Sequence, residues 1–208
     1  EKQLPHLDLN YDGIFSMDAV MADDFTWPVY FYVPDGLGWY RITRGQCILV
    51  IDYRTLCILG FAIHPESQYN SRIIRTAFVK VFDEFGLPNT LYLERGVWLK
   101  SKLITGGPEA NQAARSDAGL PLSDAECELA LRGFGIKFIH ARRARSKPVE
   151  RVGGLLQDYM EGEPGYCGRD ERNDRPESLT RQMLEVEKPR GGIPPSKYFH
   201  SLDQWETR

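Results

Sequence analysis

Two hydrophobic segments between residues 46 and 63 constrain the fold more than any other part of the sequence. QCILVID occupies residues 46–52 and LCILGFAI occupies residues 56–63, with a short polar turn between them. Two β-rich runs around a turn predict a β-hairpin, and Asp52 is predicted to cap that turn. Residues 67–85 then carry apolar side chains at helical spacing, and glycine and proline follow as stop signals. The sequence therefore predicts a sheet covered by a core-facing helix.

Acidic residues end two of the other predicted strands. An apolar, strand-like segment runs from residue 15 into Asp23 and Asp24, and a short β-rich segment ends in Glu94. A capping box, SDAE, opens a further helix at residue 123, and residues 136–140 again have the pattern of a strand. These elements predict an α/β fold, a mixed sheet with helices over its faces and carboxylates at the ends of its strands.

A third carboxylate, Glu150, lies in the sequence KPVER at residues 147–151. Pro148 suits the first turn of a helix, where its missing N–H costs nothing, and apolar residues then recur at helical spacing. Positive charge surrounds this carboxylate in a basic run made of Arg142, Arg143, Arg145, Lys147 and Arg151. A solvated helix start is the simple interpretation of such a run. The acids at the two strand ends favour a metal-ligating carboxylate that works on a phosphate backbone.

The layout of these acids resembles the ribonuclease H-like fold, and several motifs make the resemblance more specific. The chain is similar to the catalytic core of DDE transposases and integrases, most closely to the phage Mu transposase group. The matching motifs appear in the family's order and are VIDYRTLCILG at residues 50–60, FGLP at 85–88, LITGG at 103–107 and KPVERVGGL at 147–155. The resemblance implies a mixed five-stranded sheet flanked by helices, as in the retroviral integrase catalytic core.

The resemblance also implies a division of the chain. Residues 1–14 are expected to lead into the domain, and residues 15–165 to form the ribonuclease H-like catalytic core. Residues 166–208 are expected to be an extended tail that leads to a missing C-terminal domain. Within that tail, residues 176–186 are predicted to form one short helix, and residues 201–205 are predicted to begin another element.

Catalytic roles follow from the resemblance, residue by residue. Glu150 corresponds to the third catalytic acid and Glu94 to the second. The first acid is Asp23 or Asp24. Counting back from the strand at residues 29–31 favours Asp23, whereas the pattern of Asp24 followed by Phe and Thr resembles the Asp-x-Thr of related integrases. Asp23 is preferred, and Asp24 is kept as the alternative.

Glu94 departs from the family pattern, which has aspartate at this position. One extra methylene moves a carboxylate by about 1.5 Å, whereas a productive constellation tolerates roughly 0.5 Å. Three interpretations therefore remain open. The chain is an active polynucleotidyl transferase that nicks DNA ends and transfers strands, a weakened or silent relative that acts as a subunit of a DNA complex, or a ribonuclease H-like nuclease that does not join strands.

Metal use follows from the same resemblance. Two Mg²⁺ or Mn²⁺ ions are expected, with Asp23 bridging both and Glu94 and Glu150 each completing one site. Hard divalent cations prefer such oxygen ligands. Mg²⁺ keeps several waters and relies on substrate phosphates to complete its shell, so binding without DNA is expected to be weak.

DNA is the expected partner, both as transposon ends and as target, and the full-length protein is expected to form a homo-oligomer on it. The basic run is expected to follow the DNA backbone through contacts that depend on salt and not on sequence. The net charge of −3 argues against a strong autonomous DNA-binding module. Because the sequence has no membrane-length apolar run and no signal-peptide pattern, a cytoplasmic protein is expected. The resemblance implies that it is bacterial or phage-encoded.

Substitution of Glu94 by aspartate tests the departure from the family pattern. If the longer side chain displaces one metal ion, Glu94→Asp raises strand-transfer activity in Mg²⁺, and Mn²⁺ partly rescues the parent protein because it makes looser geometric demands. Strand-transfer assays of both proteins in both metals provide the measurement. A slower aspartate variant would show instead that the backbone has adjusted to glutamate.

Overall fold

A computed structural model describes residues 12–34, 40–66, 68, 70–93, 135–140, 148–168, 176–186 and 193–207. Seven strands lie in this part of the chain: β1 (Ala19–Thr26), β2 (Phe31–Pro34), β3 (Tyr40–Thr43), β4 (Gln46–Asp52), β5 (Ile58–His64), β6 (Thr90–Leu93) and β7 (Lys137–His140). Its α-helices are α1 (Ser71–Phe85), α2 (Pro148–Tyr159), α3 (Glu177–Val186) and α4 (Leu202–Glu206). None of the helices in these ranges is long and apolar enough to cross a membrane.

Five strands form the main sheet in the order β5-β4-β1-β6-β7. The hairpin β4–β5 is antiparallel and pairs antiparallel with β1, whereas β1, β6 and β7 run parallel. The chain crosses from the edge strand β5 to β6, which lies on the other side of β1, and α1 lies in this crossover connection. Three antiparallel strands followed by two parallel ones, with helices on the faces, make up the ribonuclease H-like fold. The predicted fold class and the predicted hairpin are confirmed.

One face of the sheet packs against α1. The helix begins at Ser71 because Asn70 is its N-cap, and the Asn70 Oδ1 accepts hydrogen bonds from the N–H groups of Arg72 and Ile73 at 2.9 and 3.2 Å. It ends where Gly86 adopts a positive φ of 86°. Fully buried side chains of this helix meet the sheet in one cluster: Ile74, Ala77, Phe78 and Val81. The predicted helix is confirmed with a later start, although Phe85 is 44% exposed and lies outside this apolar stripe.

The opposite face of the sheet carries α2. Val149 is buried there against Met21, Leu49 and Ile51. The predicted helix at this position is confirmed, but its apolar residues do not all face the core. Leu155 is 62% exposed and Tyr159 is 83% exposed. Fewer apolar side chains of α2 are therefore buried against the sheet than the sequence pattern predicted.

The antiparallel hairpin β2–β3 was missed by the sequence analysis and forms a second, two-stranded sheet. Residues after 165 pack beside it. The Tyr30 N–H donates to the Gly165 carbonyl at 2.8 Å, and the Tyr32 N–H donates to the His200 carbonyl at 3.1 Å. Buried apolar side chains from this part of the chain are Cys167, Leu179, Phe199 and Trp205.

The expectation of an extended tail is therefore wrong for residues 166–168, 176–186 and 193–207. The two elements predicted within the tail are confirmed as α3 and α4, and Ser201 caps α4 with a complete capping box. These helices return to the domain because their apolar residues cover the β2–β3 hairpin. Two other predicted features, the helix opening at residue 123 and the strand-end acid Glu94, lie outside the described residues.

Asp52 ties the start of β1 to the turn between β4 and β5. Its fully buried carboxylate accepts hydrogen bonds from the Ser16 hydroxyl at 3.1 Å, the Met17 N–H at 3.2 Å, and the N–H and hydroxyl of Thr55 at 3.2 and 2.7 Å. Met17 and Leu56 have positive φ angles of 66° and 59°. Such a conformation costs about 1 kcal/mol or more and persists where surrounding contacts hold it. The predicted capping role of Asp52 is confirmed, and it extends to the entry of β1.

Loss of the Asp52 carboxylate is expected to destabilise the fold. Burial alone would raise the pKa of Asp52, but the hydrogen bonds from Thr55, Met17 and Ser16 outweigh burial and lower it. We expect Asp52→Ala to reduce the free energy of unfolding by about 2–4 kcal/mol at pH 7, because it removes the four hydrogen bonds that the carboxylate accepts. Chemical denaturation measures this loss. Asp83→Ala, at an exposed position of α1, is the control and should change stability little.

Chemical denaturation repeated at low pH tests whether the pKa of Asp52 is lowered. A carboxyl group with a lowered folded-state pKa contributes stability that is complete above its ordinary pKa and is lost as the pH falls toward the lowered value. The stability difference between the parent and Asp52→Asn should therefore shrink as the pH falls below the ordinary value of 3.8. A difference that does not change with pH would contradict the hydrogen-bonded carboxylate.

Candidate active site

The two adjacent acids of β1 lie on opposite faces of the sheet. In the antiparallel register with β4, Asp23 is opposite Leu49 and Asp24 is opposite Ile48. Successive side chains of a strand alternate between faces. Asp23 therefore shares a face with Leu49, and Asp24 shares a face with Ile48. The register alone separates two residues that the sequence could not distinguish.

The clusters on the two faces show which helix each acid approaches. Leu49 belongs to the cluster that includes Val149 of α2, whereas Ile48 belongs to the cluster beneath α1. Asp23 consequently lies on the α2 side of the sheet and Asp24 on the α1 side. Both acids are partly buried.

A cavity of about 290 Å³ lies between the end of β1 and the start of α2. Glu150 reaches it from the first turn of α2, where the helix dipole favours negative charge. Apolar side chains and helix backbone form much of the remaining wall. The lining residues are Asp23, Asp24, Phe25, Leu49, Val149, Glu150, Gly153, Gly154 and Gln157.

Gly153 lies on the side of α2 that faces the sheet at this cavity. A Cβ atom placed on Gly153 would lie 3.8 Å from the Phe25 ring and 4.0 Å from a methyl group of Leu49. These are ordinary van der Waals contacts, so the helix is near its sheet but not in backbone contact with it. Helix and strand are therefore close enough for Asp23 and Glu150 to share one cavity.

The predicted site residues fall into three groups: those that line the cavity, one that lies beside it, and those outside the described part of the chain. Asp23, Asp24 and Glu150 line the same cavity, whereas Arg151 is exposed next to Glu150 and is not among the lining residues. β6, which runs parallel beside β1, ends at Leu93, the residue before Glu94. The predicted residues that lie outside the described part of the chain are Glu94, Arg142, Arg143, Arg145 and Lys147.

Sequence analysis missed the apolar and amide part of the cavity, which consists of Phe25, Leu49 and Gln157. Gln157 was detectable in principle, because it follows Glu150 by two helical turns and so lies on the same face. Phe25 and Leu49 had no such signal. Their place in the wall depends on the register between two strands.

The donor chemistry of the cavity suits a hard divalent cation in part. Carboxylate oxygens are the ligands that Mg²⁺ and Mn²⁺ prefer, and the lining has no histidine or cysteine for a zinc site. Within the described ranges, however, no group of three or more histidine, cysteine, aspartate or glutamate side chains gathers closely enough to hold a metal. Glu94, the remaining acid of the predicted ligand set, lies outside these ranges. The described residues contribute Asp23 and Glu150 to the predicted ligand set.

The known proteins that are similar to this chain are solved structures. No protein-family profile and no curated protein matches the chain. Among solved structures, the dimeric HTLV-2 integrase catalytic core domain in complex with magnesium has a TM-score of 0.42 and 14% identity, over 91% of this chain and 99% of that one. The trimeric form of that domain has a TM-score of 0.40 and 16% identity, over 90% and 99%.

A third similar structure is the intasome of simian T-cell lymphotropic virus in complex with a PP2A regulatory subunit. Its TM-score is 0.41 with 12% identity, and the match covers 91% of this chain and 57% of that one. Likeness at this level concerns the arrangement of helices and strands. The strand order and register described above identify the fold, and the resemblance to the phage Mu transposase group stays a prediction.

Substitution of Gly153 tests the spacing between α2 and the sheet. We expect Gly153→Ala to raise the free energy of unfolding by about 0.5–1 kcal/mol, because alanine has the lower entropic cost in a helix and its Cβ fits the available space. Chemical denaturation measures the change.

Gly45→Ala serves as the contrasting control. A Cβ on Gly45 would meet the His64 carbonyl oxygen far inside contact distance, so this variant should lose stability markedly. Equal destabilisation by the two alanines would mean that α2 lies closer to the sheet than described.

Proposed function

We propose that this chain is the catalytic domain of a DNA transposase or integrase that uses divalent metal ions to nick DNA ends and to transfer the freed strands into target DNA. The observation that carries the proposal is the shared cavity of Asp23 and Glu150. These carboxylates come from the central strand and from a helix on its face. The motif order of the sequence supports the same conclusion.

Asp23 is the first acid in this proposal, and Asp24 is the alternative. The support is the register of β1, which directs Asp23 to the face that carries α2 and Asp24 to the face that carries α1. Glu150 is the third acid. Its place in the first turn of α2 lets the helix dipole stabilise its negative charge.

Asp23, Glu94 and Glu150 would hold the metal ions, Mg²⁺ or Mn²⁺. Two such ions, when bound, supply activation of the attacking oxygen and neutralise charge at the phosphate and the leaving oxygen. The chain's own contribution is to present the carboxylates and to shape the cavity. Phe25, Leu49 and Val149 form the apolar part of the cavity wall beside the acids.

DNA contacts are proposed for the basic run. Arg151 is exposed beside Glu150, so a phosphate approaching the cavity meets positive charge next to the acid. Arg142, Arg143, Arg145 and Lys147 are proposed to extend this contact along the backbone, and such contacts weaken as salt rises. Other subunits of a homo-oligomer would supply further contacts to the transposon ends and the target.

Glu94 favours a second candidate function. A glutamate in place of the family's aspartate alters the reach of one ligand by more than a productive site tolerates. In this alternative the domain is a weakened or silent relative that serves as a subunit of a DNA complex. It would keep the fold and the phosphate contacts but not the reaction.

Neutralising the acids one at a time tests the proposed site. We expect Glu150→Gln and Asp23→Asn each to reduce end nicking and strand transfer in Mg²⁺ by more than about 100-fold, since even outer-shell partners of a metal cost about 10- to 100-fold. Asp24→Asn should retain clearly more activity than Asp23→Asn. Assays of the full-length protein on labelled DNA ends provide the rates, and thermal unfolding checks that the variants fold.

Asp83→Asn, on the exposed surface of α1, is the control for charge loss away from the cavity. Greater loss in Asp24→Asn than in Asp23→Asn would reverse the assignment of the first acid. A parent protein no more active than Glu150→Gln would support the silent relative, and nicking without joining would identify a nuclease.

A further inference from the structure

The wall of the acid cavity is connected to the C-terminal part of the chain through aromatic rings. Phe25 lines the cavity, and the centre of its ring lies 6.0 Å from that of Trp27. Trp27 is 1% exposed and meets the ring of Trp205 edge to face, with the centres 5.5 Å apart. Aromatic pairs at such distances attract each other beyond simple area burial. Trp205 of α4 is thus two ring contacts from the cavity.

The end of α2 belongs to the same group of side chains. Met160, which directly follows α2, is buried in one cluster with Trp27 and Trp205. Leu156 of α2 packs against this cluster and also against the cluster beside the cavity. The Trp27 cluster therefore joins three parts of the chain: the end of β1, the end of α2 and the C-terminal segment at residues 193–207.

This connection matters because α2 has one fully buried side chain, Val149. Gly153 is also buried but has no side chain, and Val152 and Leu156 are partly buried against the cluster of Met21, Leu49 and Ile51. Val149 fixes the helix next to Glu150. At the other end of the helix, Leu156 and Met160 supply the packing in the cluster that also contains Trp27 and Trp205, whose rings are in contact.

The position of Trp205 is itself well determined. The capping box of Ser201 and Gln204 begins α4, with hydrogen bonds of 2.8 and 3.2 Å between the two residues. One residue earlier, the His200 carbonyl accepts the Tyr32 N–H, and Ser201 forms a β-bridge with Tyr32. The backbone contacts with β2 therefore fix the start of α4, and the neighbouring rings of Trp27 and His200 hold the Trp205 ring.

The geometry points to Trp205 as a positioning residue that holds α2 against the end of β1 and so sets the separation of the Asp23 and Glu150 carboxylates. The effect of Trp205 on the reaction rests on the proposed function. Its effect on the attachment of α2 to the sheet is independent of that function. The C-terminal segment is then a structural part of the acid site, although none of its residues lines the cavity.

Hydrogen exchange measured by mass spectrometry tests the attachment directly. In Trp205→Ala the amides of residues 149–160 should exchange at least about tenfold faster than in the parent, a change that corresponds to about 1.4 kcal/mol of local opening free energy. The amides of α1, on the other face of the sheet, should keep their protection. Trp205→Phe retains a ring and should restore most of the parent's protection.

Leu179→Ala is the matched control. Leu179 is also buried and also lies after residue 165, but it belongs to the cluster with Tyr30 and Phe199 and not to the Trp27 cluster. This variant should loosen α3 and leave residues 149–160 as protected as in the parent. If Trp205→Ala does not fold, Trp205→Leu replaces it and is compared with Trp205→Phe by the same criterion.

Kinetics supply the second measurement. A misplacement of about 1 Å can cost on the order of 100-fold in rate. We expect Trp205→Ala to lower kcat for strand transfer in Mg²⁺ by about 10- to 100-fold with little change in KM for DNA, and Trp205→Phe to recover most of the loss.

Two results would overturn the positioning role: unchanged protection of residues 149–160 in Trp205→Ala, or equal loosening of α1 and α2. A folded parent protein that neither nicks nor joins DNA would overturn the proposed function, and hydrogen exchange would still decide whether Trp205 holds α2.

Discussion

The pairing of β1 on both sides is the interaction on which the rest of the structure depends. β1 runs antiparallel to β4 and parallel to β6, and its register with β4 continues from Val20 to Thr26. A slip of one residue would turn every side chain of the strand to the other face. The buried residues Val20, Met21 and Ala22 prevent such a slip, since each of them packs in a cluster on its own face. The face of each acid follows from this register.

The two faces of the sheet are packed differently, and the acid cavity lies on the more weakly anchored one. α1 inserts four fully buried side chains into its cluster, whereas α2 has Val149 as its main buried side chain. Gly153 of α2 lines the cavity beside the sheet, and a Cβ atom would fit at this position. Under the proposed function, this arrangement would leave the acids accessible to DNA and would make their separation depend on packing elsewhere in the chain. The Trp27 cluster supplies that packing from the end of β1, the end of α2 and the C-terminal segment.

Sequence patterns predicted the elements whose residues repeat at short spacing. The β4–β5 hairpin, α1, α2, β7 and α3 were all visible because strand and helix periodicities are local. Errors arose where a partner distant in the chain decides the outcome. Leu155 and Tyr159 fit the apolar pattern of α2 yet remain exposed, whereas the neighbouring residues Leu156 and Met160 pack into the core clusters. The β2–β3 hairpin and the folded C-terminal segment were missed for a related reason, since each buries the apolar residues of the other.

The sequence by itself determined the fold class, the identity of the candidate acids and the place of Glu150 at the start of a helix, since these depend on local periodicity and on the order of motifs. Tertiary structure alone decided that Asp23 and not Asp24 faces that helix, and that Asp23 and Glu150 share a cavity. It also decided that Phe25 connects this cavity to Trp205 through Trp27. The physical reason is that strand register and the packing between distant segments are set by burial on each face of the sheet, which no window of the sequence contains.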